Sequence, residues 1–177
     1  PDRCYICKRI IFESLISSAG CAQVLDGSNF DDKNDYRPGT RALRELGVSS
    51  PLQKAELTKK DIRAAARSAE IDLWSKPQAA CLASRIPYGS PVTREKCNRI
   101  AGAEDFLRER GFHDVRVRDH EVLARVEVGR DEIAELLREE NRKEIVLKFR
   151  KLGYNYITVD LEGYTRGSLN RSIPVNG

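Results

Sequence analysis

The sequence predicts two parts, an incomplete α/β domain over residues 1–78 and a small α+β domain over residues 79–177. Three observations carry this. Helical periodicity dominates the first part around a single short apolar strand pattern. A stretch rich in turn formers, "SKPQAACLASRIPYGSPV", interrupts the periodicity. The remainder of the chain reads as helix, hairpin, helices and strand, a complete small domain.

From Cys7 to Ser18, Ile11, Leu15 and Ser18 share one face with Ile10 and Ile16 beside it, which predicts a helix with Cys4 and Cys7 at its N-terminus. "CAQVLDGSNFDD" predicts a short buried strand running into a glycine-containing loop, and "DKNDYRPGTRALRELGV" a polar loop with a short helix stopped at Gly47. In "ELTKKDIRAAARSAEIDLW", Thr58 and Asp61 form a capping box ahead of Ile62, Ala65, Ala66 and Ala69 at helical spacing. Beyond the turn-rich stretch, "TREKCNRIAGAEDFLRERG" predicts a helix with Ile100, Ala103 and Leu107 inward, closed by Gly111. Alternation predicts a hairpin with Val115 and Val117 in one strand and Val122, Ala124, Val126 and Val128 in the other. Helices are expected over Asp131 to Leu137 and Arg142 to Leu152, then a strand with Ile157, Val159 and Leu161 on one side. One strand cannot make a parallel sheet, so the first part is expected to lack an N-terminal portion. A chain that starts at proline and holds no methionine agrees with that.

With 33% charged residues, net charge +4 and pI near 8.9, the surface leans basic without a long run of one sign, which suits an anionic small molecule as well as a nucleic acid. There is no apolar stretch of membrane-spanning length and no signal-peptide pattern at the start, so a cytoplasmic location is expected. Five cysteines in such a chain argue for thiols, metal sites or catalysis over a disulfide scaffold.

Three constellations carry chemistry. Cys4 and Cys7, beside Arg3, Lys8 and Arg9 at a helix start, sit where thiolates are favoured. A lone CxxC fits half of a structural zinc site, a redox dithiol or two ordinary thiols. Cys81, in the irregular loop, is the candidate third ligand, and three cysteines suit an iron–sulfur cluster with one open iron. Cys21 and Cys97 are expected to be ordinary buried thiols. "LDGSNFDD" presents Asp26, Asp31 and Asp32 at the carboxyl end of the expected strand, for magnesium or ribose hydroxyls, or as a solvated turn. In "VRVRDH", Arg116 and Arg118 project from one strand face, as a phosphate or carboxylate clamp or as a solvated face.

"DGSNFDD", "PLQKAELTKKDIR", "WSKPQAACLASRIPYG" and "DLEGYTRGSLN", in that order and over essentially the whole chain, resemble the LarE family of PP-loop ATP-dependent sulfur transferases. The resemblance implies that the first part is the C-terminal portion of a PP-loop (adenine nucleotide alpha hydrolase-like) parallel-sheet domain. It implies adenylation of a carboxylate of pyridinium-3,5-biscarboxylic acid mononucleotide, release of pyrophosphate and replacement of oxygen by sulfur, in the making of a nickel-pincer nucleotide. In one branch of the family a cysteine at the position of Cys81 gives up its own sulfur. In the other a CxxC and the loop cysteine hold a 4Fe-4S cluster, and Cys4, Cys7 and Cys81 place the chain there. ATP and Mg2+ complete the implied cofactors, and a homo-oligomer is expected.

The resemblance further assigns Ser84, Arg116 and Arg118 to the substrate phosphate, Glu104 nearby, and Asp26, Asn29 and Asp32 to the nucleotide. Cys81 and Arg85 are the expected catalytic residues, and Arg85 and Lys76 are cations suited to a thiolate or to developing negative charge. The family's glycine-rich phosphate loop is missing from this sequence. The chain alone is therefore expected to be inactive toward ATP, with roughly a hundred residues upstream in the intact protein. The rival readings are a PP-loop tRNA thiolase, which would want a basic stripe interleaved with aromatics, and a non-catalytic module stapled by zinc.

Overall fold

In the computed structural model, residues 2–20, 22–34, 38–75 and 80–165 are described. The chain divides into two compact units, Pro1–Gln78 and Ala79–Gly177.

The first unit is helical. α1 (Arg3–Ala19) begins earlier than its apolar pattern suggested, which puts Cys4 and Cys7 inside its first two turns. It packs against α2 (Gly39–Glu45) through its polar and aromatic side, where Tyr5 Oη donates to Glu45 Oε2 at 2.5 Å and Arg41 stacks on the Tyr5 ring. Its isoleucines and Leu15 do not face a core, as the sequence pattern had suggested. No residue of α1 is buried, and Ile10 is 63% exposed. A 3-10 turn (Phe30–Asn34) and α3 (Pro51–Lys54) follow the loop, and α4 (Lys59–Ser68) carries the expected capping box between Thr58 and Asp61.

The buried strand expected at "CAQVLDG" is corrected to a single parallel bridge between Leu25 and Ser49, with Asp26 N donating to Ser49 O at 2.8 Å. A parallel strand is stable when neighbours flank it and both faces are covered. Leu25 is instead 53% exposed. Cys21, at the start of that segment, lies outside the described residues.

The second unit contains α5 (Arg94–Glu109), β1 (Arg116–His120), β2 (Leu123–Glu127), α6 (Ile133–Leu136), α7 (Glu139–Lys151) and β3 (Tyr156–Val159). β1 and β2 pair antiparallel and β2 and β3 pair parallel, giving a mixed sheet in the order β1-β2-β3. α5 starts at Thr93, whose hydroxyl accepts from Lys96 N, and its inward residues Ile100, Ala103 and Leu107 are fully buried. Those last two, with Phe112, Val115, Val117, Ala124, Val126, Ile145, Phe149 and Tyr154, form one apolar core between the helices and one sheet face. Two residues expected on the inward strand faces are exposed instead. Val122 occupies the hairpin turn, where Glu121 takes a positive φ, and Leu161 lies past the end of β3 at 85% exposure. At Gly163, φ is +70° and a Cβ would lie 2.9 Å from Val128 O, so the chain can return this close to the sheet only through glycine.

The other face of the sheet is polar. It carries Arg116 and Arg118 from β1 and Arg125 and Glu127 from β2, with Arg118 opposite Arg125 and Arg116 opposite Glu127 in register. This face belongs to the site.

Candidate functional site

Cys81 precedes a short 3-10 turn (Leu82–Arg85), and its side chain is exposed. Its backbone is held far more firmly than a surface loop requires. The Cys81 carbonyl accepts from Ser84 N at 2.9 Å, from Ser84 Oγ at 2.7 Å and from Arg85 Nη1 at 3.2 Å. Arg85 Nη1 also donates to Ala80 O at 3.0 Å and to Ser84 Oγ at 3.0 Å.

Arg85 can do this because its guanidinium is fixed from behind. It is 2% exposed and forks onto Glu104, with Nε to Oε1 at 2.8 Å and Nη2 to Oε2 at 3.0 Å. Glu104, fully buried on the inner face of α5, also accepts from Arg108 Nη2 at 2.6 Å and from Val117 N at 3.0 Å. Burial pushes its carboxyl toward the neutral form, but the Arg85 pairing, Val117 N–H and Arg108 outweigh this and hold it below the ordinary glutamate range.

A second fork lies on the sheet. Arg118 donates Nε to Glu127 Oε1 at 2.8 Å and Nη2 to Glu127 Oε2 at 2.6 Å, and its Nη1 reaches Ser84 O at 3.0 Å. Glu127 is fully buried. Arg125 donates to Glu127 Oε1 at 3.2 Å and pairs with Asp160 Oδ2 at 3.3 Å, while its Nε is buried without a hydrogen-bond partner among the described residues. Arg116 is half-buried; its guanidinium donates to Val115 O and stacks 4.8 Å from the Tyr164 ring. The two strand arginines thus share a face as expected, yet they differ: Arg118 is sunk against a carboxylate and Arg116 lies outside it.

Cys81, Ser84, Arg85, Glu104 and Arg118 are therefore parts of one hydrogen-bonded assembly in the second unit. Sequence reasoning missed Glu127 and Arg125 as its members. The available signal was charge on the polar stripe of β2, directly across from Arg116 and Arg118, where an acidic residue between arginines is a cross-strand partner.

In the first unit, the "DGSNFDD" carboxylates largely hold their own loop. Asp26 Oδ1 accepts from Ser28 N at 2.9 Å and Ser50 Oγ at 3.2 Å, and Oδ2 from Lys8 Nζ at 3.2 Å. Burial opposes its charge, but Ser28 and Lys8 keep its carboxyl below the ordinary aspartate range. Asp31 accepts from Lys59 N at the start of α4, and Asp32 from Asn29 N at 3.0 Å. Asn29 Oδ1 is buried and has no hydrogen-bond partner among the described residues. Beside this loop lies a cleft of about 440 Å³ whose lining includes Ser28, Asp32, Ser50 and the cations Lys33, Arg44 and Lys54.

Cys4 and Cys7, three apart near the start of α1, are both exposed. Among the described residues no three His, Cys, Asp or Glu side chains converge as a metal-binding group. Cys4 and Cys7 belong to the first unit and Cys81 to the second. Lys76 lies outside the described residues, as does the end of "GYTRGSLN" beyond Thr165. Among the described residues no helix is long and apolar enough to cross a membrane.

No family model matches the chain. It is 40% identical over 173 residues to an uncharacterized protein of Synechocystis sp., covering 96% of this chain and 65% of the relative. It is 37% identical over 176 residues to the pyridinium-3,5-bisthiocarboxylic acid mononucleotide synthase of Lactiplantibacillus plantarum, covering 98% of this chain and 63% of that enzyme. An uncharacterized protein of Methanocaldococcus jannaschii is 34% identical over 167 residues, 93% of this chain and 64% of its own. The chain thus spans just under two thirds of the length of each of these relatives.

Proposed function

We propose that this chain is the sulfur-handling part of a LarE-like, PP-loop ATP-dependent sulfur transferase acting on pyridinium-3,5-biscarboxylic acid mononucleotide, with Cys81 as the reacting position. The observation that carries the reading is an exposed thiol on a backbone fastened by two buried Arg–Glu forks. Similarity to a synthase of the bisthiocarboxylic product supports the substrate class.

In the proposed chemistry the substrate carboxylate attacks the α-phosphorus of Mg2+-bound ATP and expels pyrophosphate, giving an acyl adenylate. With Cys81 as a sacrificial donor, its thiolate attacks the acyl carbon and expels AMP. Loss of the Cα proton to a base then turns the Cα–H electron pair into the Cα=Cβ double bond while the Cβ–S pair leaves with sulfur, giving a thiocarboxylate on the substrate and dehydroalanine in the protein. The fixed loop holds the thiol in one direction, which lowers the entropy cost of the attack. Ser84, Arg116 and Arg118 serve the substrate phosphate: Ser84 is exposed and Arg116 half-buried, so these two meet it, while Arg118, paired with Glu127, holds the Ser84 carbonyl in place. Asp26, Asn29 and Asp32 face the nucleotide, with Asn29 Oδ1, unpartnered among the described residues, as the acceptor for a ribose or base donor.

Cys4, Cys7 and Cys81 also fit a 4Fe-4S cluster by donor type, since all three are exposed thiols and thiolates are what such clusters take. When bound, a cluster with one open iron would supply the sulfur in place of the cysteine.

The test is anaerobic incubation of the chain with the acyl adenylate of the mononucleotide, prepared separately because the chain alone is expected to be inactive toward ATP, followed by mass spectrometry of both product and protein. A thiocarboxylate product with dehydroalanine at position 81 supports the sacrificial route, and the same product with intact Cys81 and bound iron supports the cluster. Undiminished product from Cys81→Ala removes Cys81 from the chemistry. No thiocarboxylate from the wild type, with or without added sulfide, defeats the proposed function.

A further inference from the structure

We propose that Arg85, locked by Glu104, is a positioning residue for Cys81: it sets the direction of the thiol by gripping the backbone on which the thiol is carried. The proposal rests on the reading of Cys81 as the reacting thiol and changes the role expected of Arg85 from direct catalysis to presentation.

An arginine has five N–H donors in a rigid fork, and their directions cannot be chosen independently. Here one edge, Nε and Nη2, is spent on both oxygens of Glu104. That fixes the plane of the group, and Nη1 is left aimed at the loop, where it meets Ala80 O, Cys81 O and Ser84 Oγ together. Glu104 is in turn unable to swing, because Arg108 and Val117 N–H occupy the same two oxygens. The chain of contacts therefore runs from the core helix and the first strand, through a buried ion pair, to the carbonyl of the cysteine itself. Arg118 holds a second carbonyl of the turn, at Ser84, from its own fork on Glu127.

A surface loop of this length needs no such support for its own sake. Two buried Arg–Glu pairs are weak devices for stability, because desolvation of the charges offsets their attraction. They are effective at specifying one conformation, which is what a thiol that must meet an activated carbon requires.

The test compares wild type, Arg85→Gln, Arg85→Lys and Glu104→Gln without ATP or substrate. Its outcome is therefore separate from that of the sulfur-transfer assay. Iodoacetamide alkylation is followed site by site by mass spectrometry, with Cys97 as an internal reference, and amide hydrogen exchange is followed over residues 80–88. In Arg85→Gln, the Cys81 alkylation rate is expected to change about fivefold or more while Cys97 is unchanged, because the released loop no longer presents the thiol in one direction. Protection of the Ser84 and Ile86 amides is expected to fall about tenfold as the loop is released.

Arg85→Lys keeps a cation but not the fork, so it is expected to follow Arg85→Gln in both alkylation and protection. Glu104→Gln, which keeps the shape and the cation, likewise loses protection over 80–88 and serves if the Arg85 variants do not fold. Cys81 alkylation in Arg85→Gln within about twofold of wild type, or Cys81 and Cys97 changing in parallel, overturns the proposal. So does loop protection that survives both Arg85→Lys and Glu104→Gln.

Discussion

In the second unit Leu107, Val115, Val117 and Phe149 are fully buried against one another, whereas in the first unit Ala42 and Leu43 are the apolar residues buried among those described. α1 makes the contrast sharpest: Ile6, Ile10, Ile11, Leu15 and Ile16 are all exposed on it. The hydrophobic effect scales with area removed from water, so the second unit holds most of what stabilises this chain. The first unit relies on turns, caps and partly exposed ion pairs such as Arg9 with Glu13 and Glu45, which contribute little. The proposed thiol stands on the well-buried side of this divide, on a base that does not give.

The strongest attempt to break the contrast is Phe149→Ala. It should cost the second unit about 3–5 kcal/mol, measured as a drop in urea midpoint, because the ring packs against Tyr154 at the centre of the core. Glu127→Ala should cost about 3 kcal/mol by the same measurement, since it leaves Arg118 buried without its carboxylate. Glu104→Gln sharpens the comparison by pH. The folded carboxyl lies below its ordinary value, so its stabilisation is present above the unfolded pKa and is lost as pH falls through the folded one. The gap in urea midpoint between wild type and Glu104→Gln should therefore be full at neutral pH and close in the acid range, and a gap that widened on acidification would contradict the assignment.

The smaller effects belong to the first unit. Thr58→Ala removes the hydroxyl that accepts from Asp61 N and should cost α4 about 1 kcal/mol, seen as faster amide exchange confined to that helix. Leu15→Ala should fall within about 0.5 kcal/mol of wild type. A Leu15→Ala penalty equal to that of Phe149→Ala would erase the distinction between the units.

Where burial is strong, periodicity was readable. Ile100, Ala103 and Leu107 gave α5 and its inner face, and alternation gave β1, β2 and β3. Where burial is weak, the same patterns misled: the apolar stripe of α1 and the run at Leu25 look like core in sequence but are exposed among the described residues. A pattern states which face prefers burial and says nothing about what covers it. In the site, Cys81, Ser84, Arg85 and the two strand arginines were legible as residue types in a motif. Their connections were not, because the forks join residues 19 and 9 positions apart through a tertiary fold. Glu104 carried a visible hint, a carboxylate among Ile100, Ala103 and Leu107 at core spacing, where an acid is tolerated only with partners.

The parallel pairing of β2 with β3 also orders events in time. The β1–β2 hairpin closes through a short turn at Glu121, and such closures take microseconds. β3 pairs with β2 across the whole of α6 and α7, with Thr158 bonding to Ala124 34 positions away. Closing so long a loop is the slower step. The strand that carries Arg116 and Arg118 and its partner carrying Glu127 are therefore expected to pair before β3 joins them, which would bring the charged half of the site together first.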